Sequence, residues 1–134
     1  TKNPKIYNDD ECNIILQLLN LIRTKEKNSS IAVIAPYKAQ VNKLRSLLQY
    51  VDLNISIDTV DGFQGKESDI VIFSLTRNIG TFRFLSDERR LNVALSRAKN
   101  KIYFVGDIRY SSKNDLLKKI IKNSKVSEFV VEHK

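Results

Sequence analysis

The sequence contains no methionine and no tryptophan, and it has only one cysteine and one histidine in 134 residues. A single thiol can form neither an internal disulfide nor a zinc cluster. Cys12 lies among apolar residues and is therefore predicted to be a buried structural residue. No residues have the spacing of metal ligands or the parts of a serine or cysteine catalytic triad. The sequence thus gives no sign of chemistry that depends on such centres.

Long apolar runs are also missing, and no signal-like leader opens the chain. We therefore expect an intracellular protein, nuclear or cytoplasmic, with no membrane partner. The absence of methionine and the start at Thr1 favour a piece of a longer protein, although processing also removes an initiator. A chain of this length closes one hydrophobic core, so we expect a single domain over residues 1–134 and a monomer.

Positive charge is in excess, because 23 lysines and arginines against 15 acidic residues give a net charge of +8. Such a chain suits a polyanionic partner, since its cations displace counterions from phosphates. An ordinary solvated face of a lysine-rich protein would have the same composition. The charge therefore gains meaning only from the motifs that accompany it.

Apolar residues recur at helical spacing in some segments and form short continuous runs in others. The predicted elements are a helix over 9–25, a strand over 31–35, a helix from Val41 to Val51, strands over 55–57, 70–75 and 101–106, a helical stripe of Leu91, Ala94, Leu95 and Ala98, a final helix at 116–121 and an edge strand over 126–131. Apolar strands that alternate with helices are typical of a mainly parallel sheet covered on both faces. The sequence therefore predicts a doubly wound α/β fold.

Polar segments border the predicted strands. Residues 35–40, 59–67 and 76–78 each follow a strand, and residues 89–99 precede the last one. Ligands of such sheets bind outside the carboxyl ends of the strands, so we expect functional residues there. In this order the segments resemble the second RecA-like domain of superfamily-1 helicases, especially the group of the nonsense-mediated-decay helicase and senataxin. The resemblance runs from about Ile31 to Asp107 and is most specific at 61–67 (DGFQGKE) and 90–98 (RLNVALSRA).

The resemblance implies a RecA-like three-layer sheet with helices on both faces. It also implies the C-terminal motor domain of an ATP-dependent RNA or DNA helicase, with the first RecA-like domain absent from these 134 residues. ATP and Mg²⁺ require the pattern G-x-x-x-x-G-K-[ST] and a carboxylate at a strand end, and neither is present. We therefore expect both to be bound mainly by the upstream RecA-like domain of the same protein, and the isolated 134 residues to be inactive.

Arg97 resembles the arginine finger of this family. The transition state of phosphoryl transfer spreads charge over equatorial oxygens, which a guanidinium from outside the phosphate loop stabilises. Arg90, seven residues earlier, lies on the same side of the predicted helical stripe, so both side chains could face a cleft. The alternative is that this side of the helix is an ordinary solvated flank.

The remaining site residues follow from the same resemblance. Those implied to bind or approach the nucleotide are Tyr37, Gln40, Gln64, Gly65, Glu67 and Arg90, with Glu67 at the ribose hydroxyl. Those implied to contact the backbone of single-stranded RNA or DNA, or to couple it to the ATP cleft, are Thr59, Asp61, Thr76 and Arg77. Val41 stands where some relatives carry an arginine for the γ-phosphate, which leaves Lys38, Lys43 or Arg45 as substitutes. Val41 favours the alternative hypothesis of a non-catalytic nucleic-acid-binding module with degenerate motor motifs.

Overall fold

The computed structural model describes residues 9–48, 54–74 and 96–105, together with the backbone of residues 125–126 and 130–133. The elements in these ranges are α1 (Asp9–Lys25), β1 (Ile31–Ala35), α2 (Lys38–Leu48), β2 (Ile55–Thr59), a single 3-10 turn (Asp61–Phe63), β3 (Ser68–Ser74), β4 (Ala98–Val105), β5 (Lys125–Val126) and β6 (Val130–His133). None of the helices in the described part of the chain is long and apolar enough to cross a membrane.

The strands form one sheet in the order β2-β1-β3-β4-β6-β5. The first four are parallel to one another, which confirms the predicted mainly parallel α/β sheet. β6 pairs antiparallel with β4, and β5 pairs antiparallel with β6. The prediction of one edge strand over 126–131 is therefore wrong, because this segment contributes to two strands that pair with each other in opposite directions.

The start of β4 also differs from the prediction. Ala98 was expected in a helix and the strand at Lys101, but β4 begins at Ala98. Ser68 pairs with Ala98 and Ile70 with Lys101, so β4 uses three residue steps where β3 uses two. This bulge interrupts the regular alternation before Lys101. The apolar pattern consequently reveals only the regular part of the strand.

Both faces of the central strands are buried. α1 and α2 cover one face and share a core with it, made of Cys12, Ile15, Leu19, Ile22, Ile31, Val33, Leu44, Leu48, Ile70, Ile72, Tyr103 and Val105. The alternate residues of the same strands point to the other face and are buried as well, and there the rings of Phe73 and Phe104 lie 5.8 Å apart. The predicted helix at 116–121 and most of the one before β4 lie outside the described residues.

Two opposite edges of the parallel sheet matter for function. We define the carboxyl edge by the strand ends Ala35, Thr59, Ser74 and Val105, and the amino edge by the strand starts Ile31, Ile55, Ser68 and Ala98. β3, with seven residues, spans the distance between them, which is about 20 Å at the rise of an extended strand.

The connection from β2 to β3, residues 60–67, links these two edges. It passes from β2 over β1 to β3, in the direction opposite to the connection through α2. Right-handed crossovers therefore place it on the face that α2 does not cover. Val60 and Phe63 are buried within this connection, which fixes its path.

Candidate functional site

The residues predicted to be functional divide between the two edges. Four of them lie at the carboxyl edge: Tyr37 and Gln40 follow β1, Thr59 is the last residue of β2, and Asp61 follows β2. Glu67 and Arg97 lie at the amino edge, each one residue before its strand, and Gln64 and Gly65 lie in the connection between the edges. The expectation that functional residues lie at the carboxyl ends does not hold for Glu67, which precedes β3, whereas Arg97 lies before the last parallel strand, as its segment was expected to do. Thr76, Arg77 and Arg90 lie outside the described residues.

At the amino edge, Glu67 and Arg97 directly precede two neighbouring strands, β3 and β4. Ser68 and Ala98, the residues that follow them, are paired in the sheet, where adjacent strands lie about 4.8 Å apart. Glu67 pairs with Lys99 at 3.4 Å through largely exposed side chains. Arg97 is half-buried, and its buried Nε has no hydrogen-bond partner. In the described part of the chain, the Nε of Arg97 thus has no hydrogen-bond partner, whereas the carboxylate of Glu67 forms an ion pair with Lys99.

Ser30 anchors the start of β3 behind this pair. Its backbone N–H donates to the carboxylate of Asp69 at 3.0 Å, and its hydroxyl oxygen accepts the backbone N–H of Asp69 at 2.9 Å. The bond from the Ser30 backbone holds the pKa of the Asp69 carboxyl below its usual value. The amino edge is therefore a fixed frame for Glu67.

The connection between the edges begins with a turn built on Thr59. The backbone N–H of Gly62 donates to the Thr59 hydroxyl oxygen at 3.0 Å. A Cβ at position 62 would lie 3.1 Å from that oxygen, so the Thr59 hydroxyl would have to shift to make room for it. The hydroxyl of Thr59 accepts this bond and keeps its own proton for donation.

Gly65 is required for a different reason. Its φ is +81°, in the region that L side chains rarely adopt, and no atom lies within 4 Å of the position a Cβ would take. Gln64 and Glu67 on either side of it are exposed. The backbone at Gly65 is therefore open to the close approach of a ligand.

Of the three proposed substitutes for the cation missing at Val41, Arg45 and Lys43 form ion pairs with described residues and Lys38 does not. Arg45 donates to the carbonyl of Ile57 at 2.7 Å and pairs with Asp58 at 3.3 Å, while Lys43 pairs with Asp9 at 3.4 Å. Lys38 is exposed and makes no ion pair or hydrogen bond with another described residue. Asp58 also pairs with Lys66 at 3.3 Å, so it ties the connection between the edges to the end of β2.

At the carboxyl edge, Tyr37 is held by the first turn of α2. Its carbonyl accepts the backbone N–H groups of Gln40 and Val41 at 3.1 and 3.2 Å. The side chain of Gln40 is fully buried and donates to the Ser74 hydroxyl at 3.0 Å. The side chain of Gln40 therefore lies behind the surface in this structure, and its role at a nucleotide stays a prediction.

Ser74 extends this contact to α1. Its hydroxyl donates to the carboxylate of Glu11 at 2.8 Å, and Glu11 is 3% exposed. We call Glu11, Ser74 and Gln40 the buried polar chain. Sequence reasoning missed Glu11 and Ser74, although Glu11 falls on the stripe of Ile15, Leu19 and Ile22, where an acid signals a buried partner.

Cys12 is buried and unpaired, as predicted. Burial raises the pKa of its thiol from 9.0 to about 11, and the neighbouring charges of Asp9 and Glu11 act in the same direction. No group of three or more potential metal ligands occurs among the described residues.

Residues 1–109 match the protein family described as AAA domain. An uncharacterized ATP-dependent helicase of Methanocaldococcus jannaschii is 37% identical over 134 residues, covering 99% of this chain and 19% of that protein. The DNA polymerase alpha-associated DNA helicase A of Saccharomyces cerevisiae is 43% identical over 109 residues, covering 76% of this chain and 16% of that protein. Helicase SEN1 of the same yeast is 34% identical over 137 residues, covering 92% of this chain and 6% of that protein.

The chain thus spans about a fifth or less of the length of these curated relatives. The family match covers most of the chain, and its parallel α/β core agrees with a RecA-like fold. The chain therefore belongs to the AAA domain family, within the senataxin-like group of superfamily-1 helicases.

Proposed function

We propose that this chain is the second motor domain of an ATP-dependent helicase and that Arg97 is its arginine finger. The observation that carries the proposal is the half-buried guanidinium at the amino edge, whose Nε has no hydrogen-bond partner. A buried donor without a partner is costly, and a guanidinium held in this way is prepared for an anion. Its natural anion in this family is the γ-phosphoryl group of ATP.

Glu67 supports the same assignment. It directly precedes Ser68, which pairs with the residue after Arg97, and its carboxylate can accept a hydrogen bond from a ribose hydroxyl. Its pair with Lys99 does not oppose this role, because exposed ion pairs contribute at most about 1 kcal/mol. Gln64 and the open backbone at Gly65 lead to this carboxylate, and Arg90 completes the proposed set by its place in the motif.

ATP and Mg²⁺ would be held mainly by a first RecA-like domain, because the 134 residues contain no phosphate-loop pattern. In this arrangement the amino edge forms one wall of a cleft between two domains. Closure of the cleft brings Arg97 to the γ-phosphate, and opening releases the products.

We assign the carboxyl edge to the backbone of single-stranded RNA or DNA. The Thr59 hydroxyl retains a proton that it can donate to a phosphate oxygen. The Asp61 carboxylate repels phosphate but can accept from sugar hydroxyls or base amino groups. Thr76 and Arg77 follow Ser74 by two and three residues in the sequence, and we keep them in this set.

The connection over residues 60–67 gives this proposal a route for coupling. It starts at the proposed nucleic-acid edge with Thr59 and ends at the proposed nucleotide edge with Glu67. Its ion pair between Lys66 and Asp58 and its buried Phe63 make it a short, fixed element. A shift at one edge is therefore transmitted to the other through eight residues of backbone.

The proposal is tested by Arg97→Ala in the full-length protein, with ATP hydrolysis measured at saturating oligonucleotide. Loss of an arginine finger lowers turnover about a thousandfold. Arg97→Lys recovers little, because an ammonium cannot reproduce the planar fork of a guanidinium. The matched control is Lys27→Ala, which removes an exposed positive charge from the loop before β1 and leaves turnover unchanged.

Unchanged turnover in Arg97→Ala rules out the finger. If that variant and the wild type both bind oligonucleotide but hydrolyse nothing, the chain is a binding module instead. Rapid hydrolysis by the 134 residues alone contradicts the assignment of ATP binding to another domain.

A further inference from the structure

We propose that Glu11 of α1 is a positioning residue for the nucleotide site. Its contact runs through Ser74 and Gln40 to the first turn of α2, to which the backbone of Tyr37 is bonded. This inference rests on the proposed function and on the role at the nucleotide that the sequence implies for Tyr37. Glu11 and Ser74 both lie outside the motifs from which the site residues are predicted, so the proposal adds a support from a different helix.

Glu11 is an acidic residue in the interior of the protein. It is 3% exposed and lies on the face of α1 that carries Ile15 and Leu19 into the core. A buried carboxylate is costly unless hydrogen bonds and a favourable field compensate for the lost water. The Ser74 hydroxyl supplies the hydrogen bond at 2.8 Å, and the helix dipole favours a negative charge in the first turn of α1. The fold therefore accommodates an acid at this position.

The hydrogen bonds of the buried polar chain have a single direction. An ionised carboxylate only accepts hydrogen bonds, so the one proton of the Ser74 hydroxyl is directed to Glu11. The hydroxyl oxygen then accepts from the amide nitrogen of Gln40 at 3.0 Å. The Gln40 amide is thereby fixed with its nitrogen towards Ser74. Glu11 thus sets the orientation of Gln40 through the hydroxyl between them.

Gln40 connects this chain to Tyr37. It is the third residue of α2, and its side chain is fully buried. Its backbone N–H donates to the Tyr37 carbonyl at 3.1 Å, and the N–H of Val41 donates to the same oxygen at 3.2 Å. The backbone of Tyr37 and the anchored Gln40 therefore belong to one hydrogen-bonded turn.

Ser74 provides a fixed reference for this turn. It is the fully buried last residue of β3, a central strand that pairs with β1 on one side and with β4 on the other. Without the acceptor on Glu11, the hydroxyl proton can turn to the Gln40 oxygen and the amide can invert. The first turn of α2 would then lose its defined attachment to the sheet. Removal of Glu11 is therefore expected to displace Tyr37 without touching it.

A displaced Tyr37 affects the binding of ATP more than its hydrolysis. Its side chain is neutral, so a contact with the nucleotide is equally strong in the ground state and the transition state. Loss of such a contact raises KM and leaves kcat unchanged. Arg97 is proposed to act on the charge that develops in the transition state, so its loss lowers kcat. The two roles therefore have different kinetic signatures.

The test measures ATP hydrolysis by the full-length protein against ATP concentration at saturating oligonucleotide. Glu11→Ala is expected to raise KM about tenfold and to change kcat less than about twofold, since a misplacement of about 1 Å can cost up to about a hundredfold. Glu11→Gln keeps the length and an acceptor oxygen, so its KM stays within about threefold of the wild type. Glu11→Asp keeps the charge but is one methylene too short for Ser74, and it behaves like Glu11→Ala.

Ile15→Val is the matched control for stability. Ile15 is fully buried one turn after Glu11 on the same face of α1 and has no polar group. Its truncation lowers the urea midpoint, leaves the buried polar chain intact and leaves KM unchanged. A Glu11→Ala variant with a lowered midpoint and a wild-type KM overturns the inference. If Glu11→Ala does not fold, Ser74→Ala removes the same link with a smaller change, and an unchanged KM in that variant overturns the inference as well.

Arg97→Ala separates this inference from the proposed function. If Arg97→Ala loses turnover while Glu11→Ala and Ser74→Ala keep a wild-type KM, only the positioning role fails. If Arg97→Ala retains full turnover, the arginine finger fails. Calorimetric titration with AMP-PNP measures nucleotide affinity without hydrolysis, so the effect of Glu11→Ala on Kd is read independently of that outcome.

Discussion

Gln40 and Ser74 are both fully buried, and the side-chain amide of Gln40 donates a hydrogen bond of 3.0 Å to the Ser74 hydroxyl. Ser74 passes a hydrogen bond on to Glu11 at 2.8 Å, so one hydroxyl joins both helices to the end of β3. Each polar group in this interior is costly unless it is bonded. The hydroxyl therefore stabilises the carboxyl edge.

Ser74→Ala is expected to lower the free energy of unfolding by about 1–3 kcal/mol, because it removes a buried partner from both Gln40 and Glu11. Urea titration followed by circular dichroism measures the change. Ser56→Ala is the control, since Ser56 is an exposed strand residue and its replacement changes stability by roughly 0.5 kcal/mol or less. Equal losses in the two variants would show that the Ser74 hydroxyl is not a structural link.

The two glycines of the connection between the edges are expected to respond differently to substitution. Gly65→Ala meets no atom within 4 Å but is strained at a φ of +81°, so it costs about 1 kcal/mol. Gly65→Asn costs less, because asparagine tolerates this region. Gly62→Ala instead presses on the Thr59 hydroxyl from 3.1 Å and disturbs the proposed nucleic-acid contact.

The measurements for these variants are thermal unfolding and oligonucleotide binding by the full-length protein. Gly65→Ala and Gly65→Asn should differ in unfolding midpoint, whereas Gly62→Ala should also raise the Kd for oligonucleotide. A Gly62→Ala variant that binds as tightly as the wild type would argue against a role for the Thr59 hydroxyl in binding.

Much of the fold is predictable because the apolar residues recur at regular spacing in most helices and strands. The helical spacing of Ile15, Leu19 and Ile22 predicts α1 with its observed bounds, and the apolar run 31–35 does the same for β1. The pattern fails at β4, where the bulge breaks the alternation before Lys101. It fails again at β5 and β6, because the apolar residues of 126–131 do not show that the chain forms two antiparallel strands there.

The site is less predictable, because its geometry depends on the path of a connection. Glu67 follows β2 by eight residues and is easily assigned to the carboxyl edge, but the chain crosses the whole sheet before it reaches Glu67. Gln40 shows a second limit, since the sequence places it in a nucleotide motif while the fold buries its side chain. The motif predicts the candidate residues, whereas the fold determines at which edge of the sheet each one lies.

The thiol of Cys12 gives a prediction about pH. Burial raises its pKa from 9.0 to about 11, so the folded state retains a proton that the unfolded state loses above about pH 9. The corresponding stability is fully present below pH 9 and is lost as pH rises towards 11, by at most roughly 3 kcal/mol. Iodoacetamide, which reacts with thiolates, should therefore label Cys12 slowly in the folded protein and rapidly in urea.

Cys12→Ala provides the reference for this effect, because tyrosines and lysines also titrate above pH 9. The difference in free energy of unfolding between wild type and Cys12→Ala should be constant from pH 7 to 8.5 and should then decrease towards pH 11. A difference that does not change with pH would mean that the thiol ionises alike in both states.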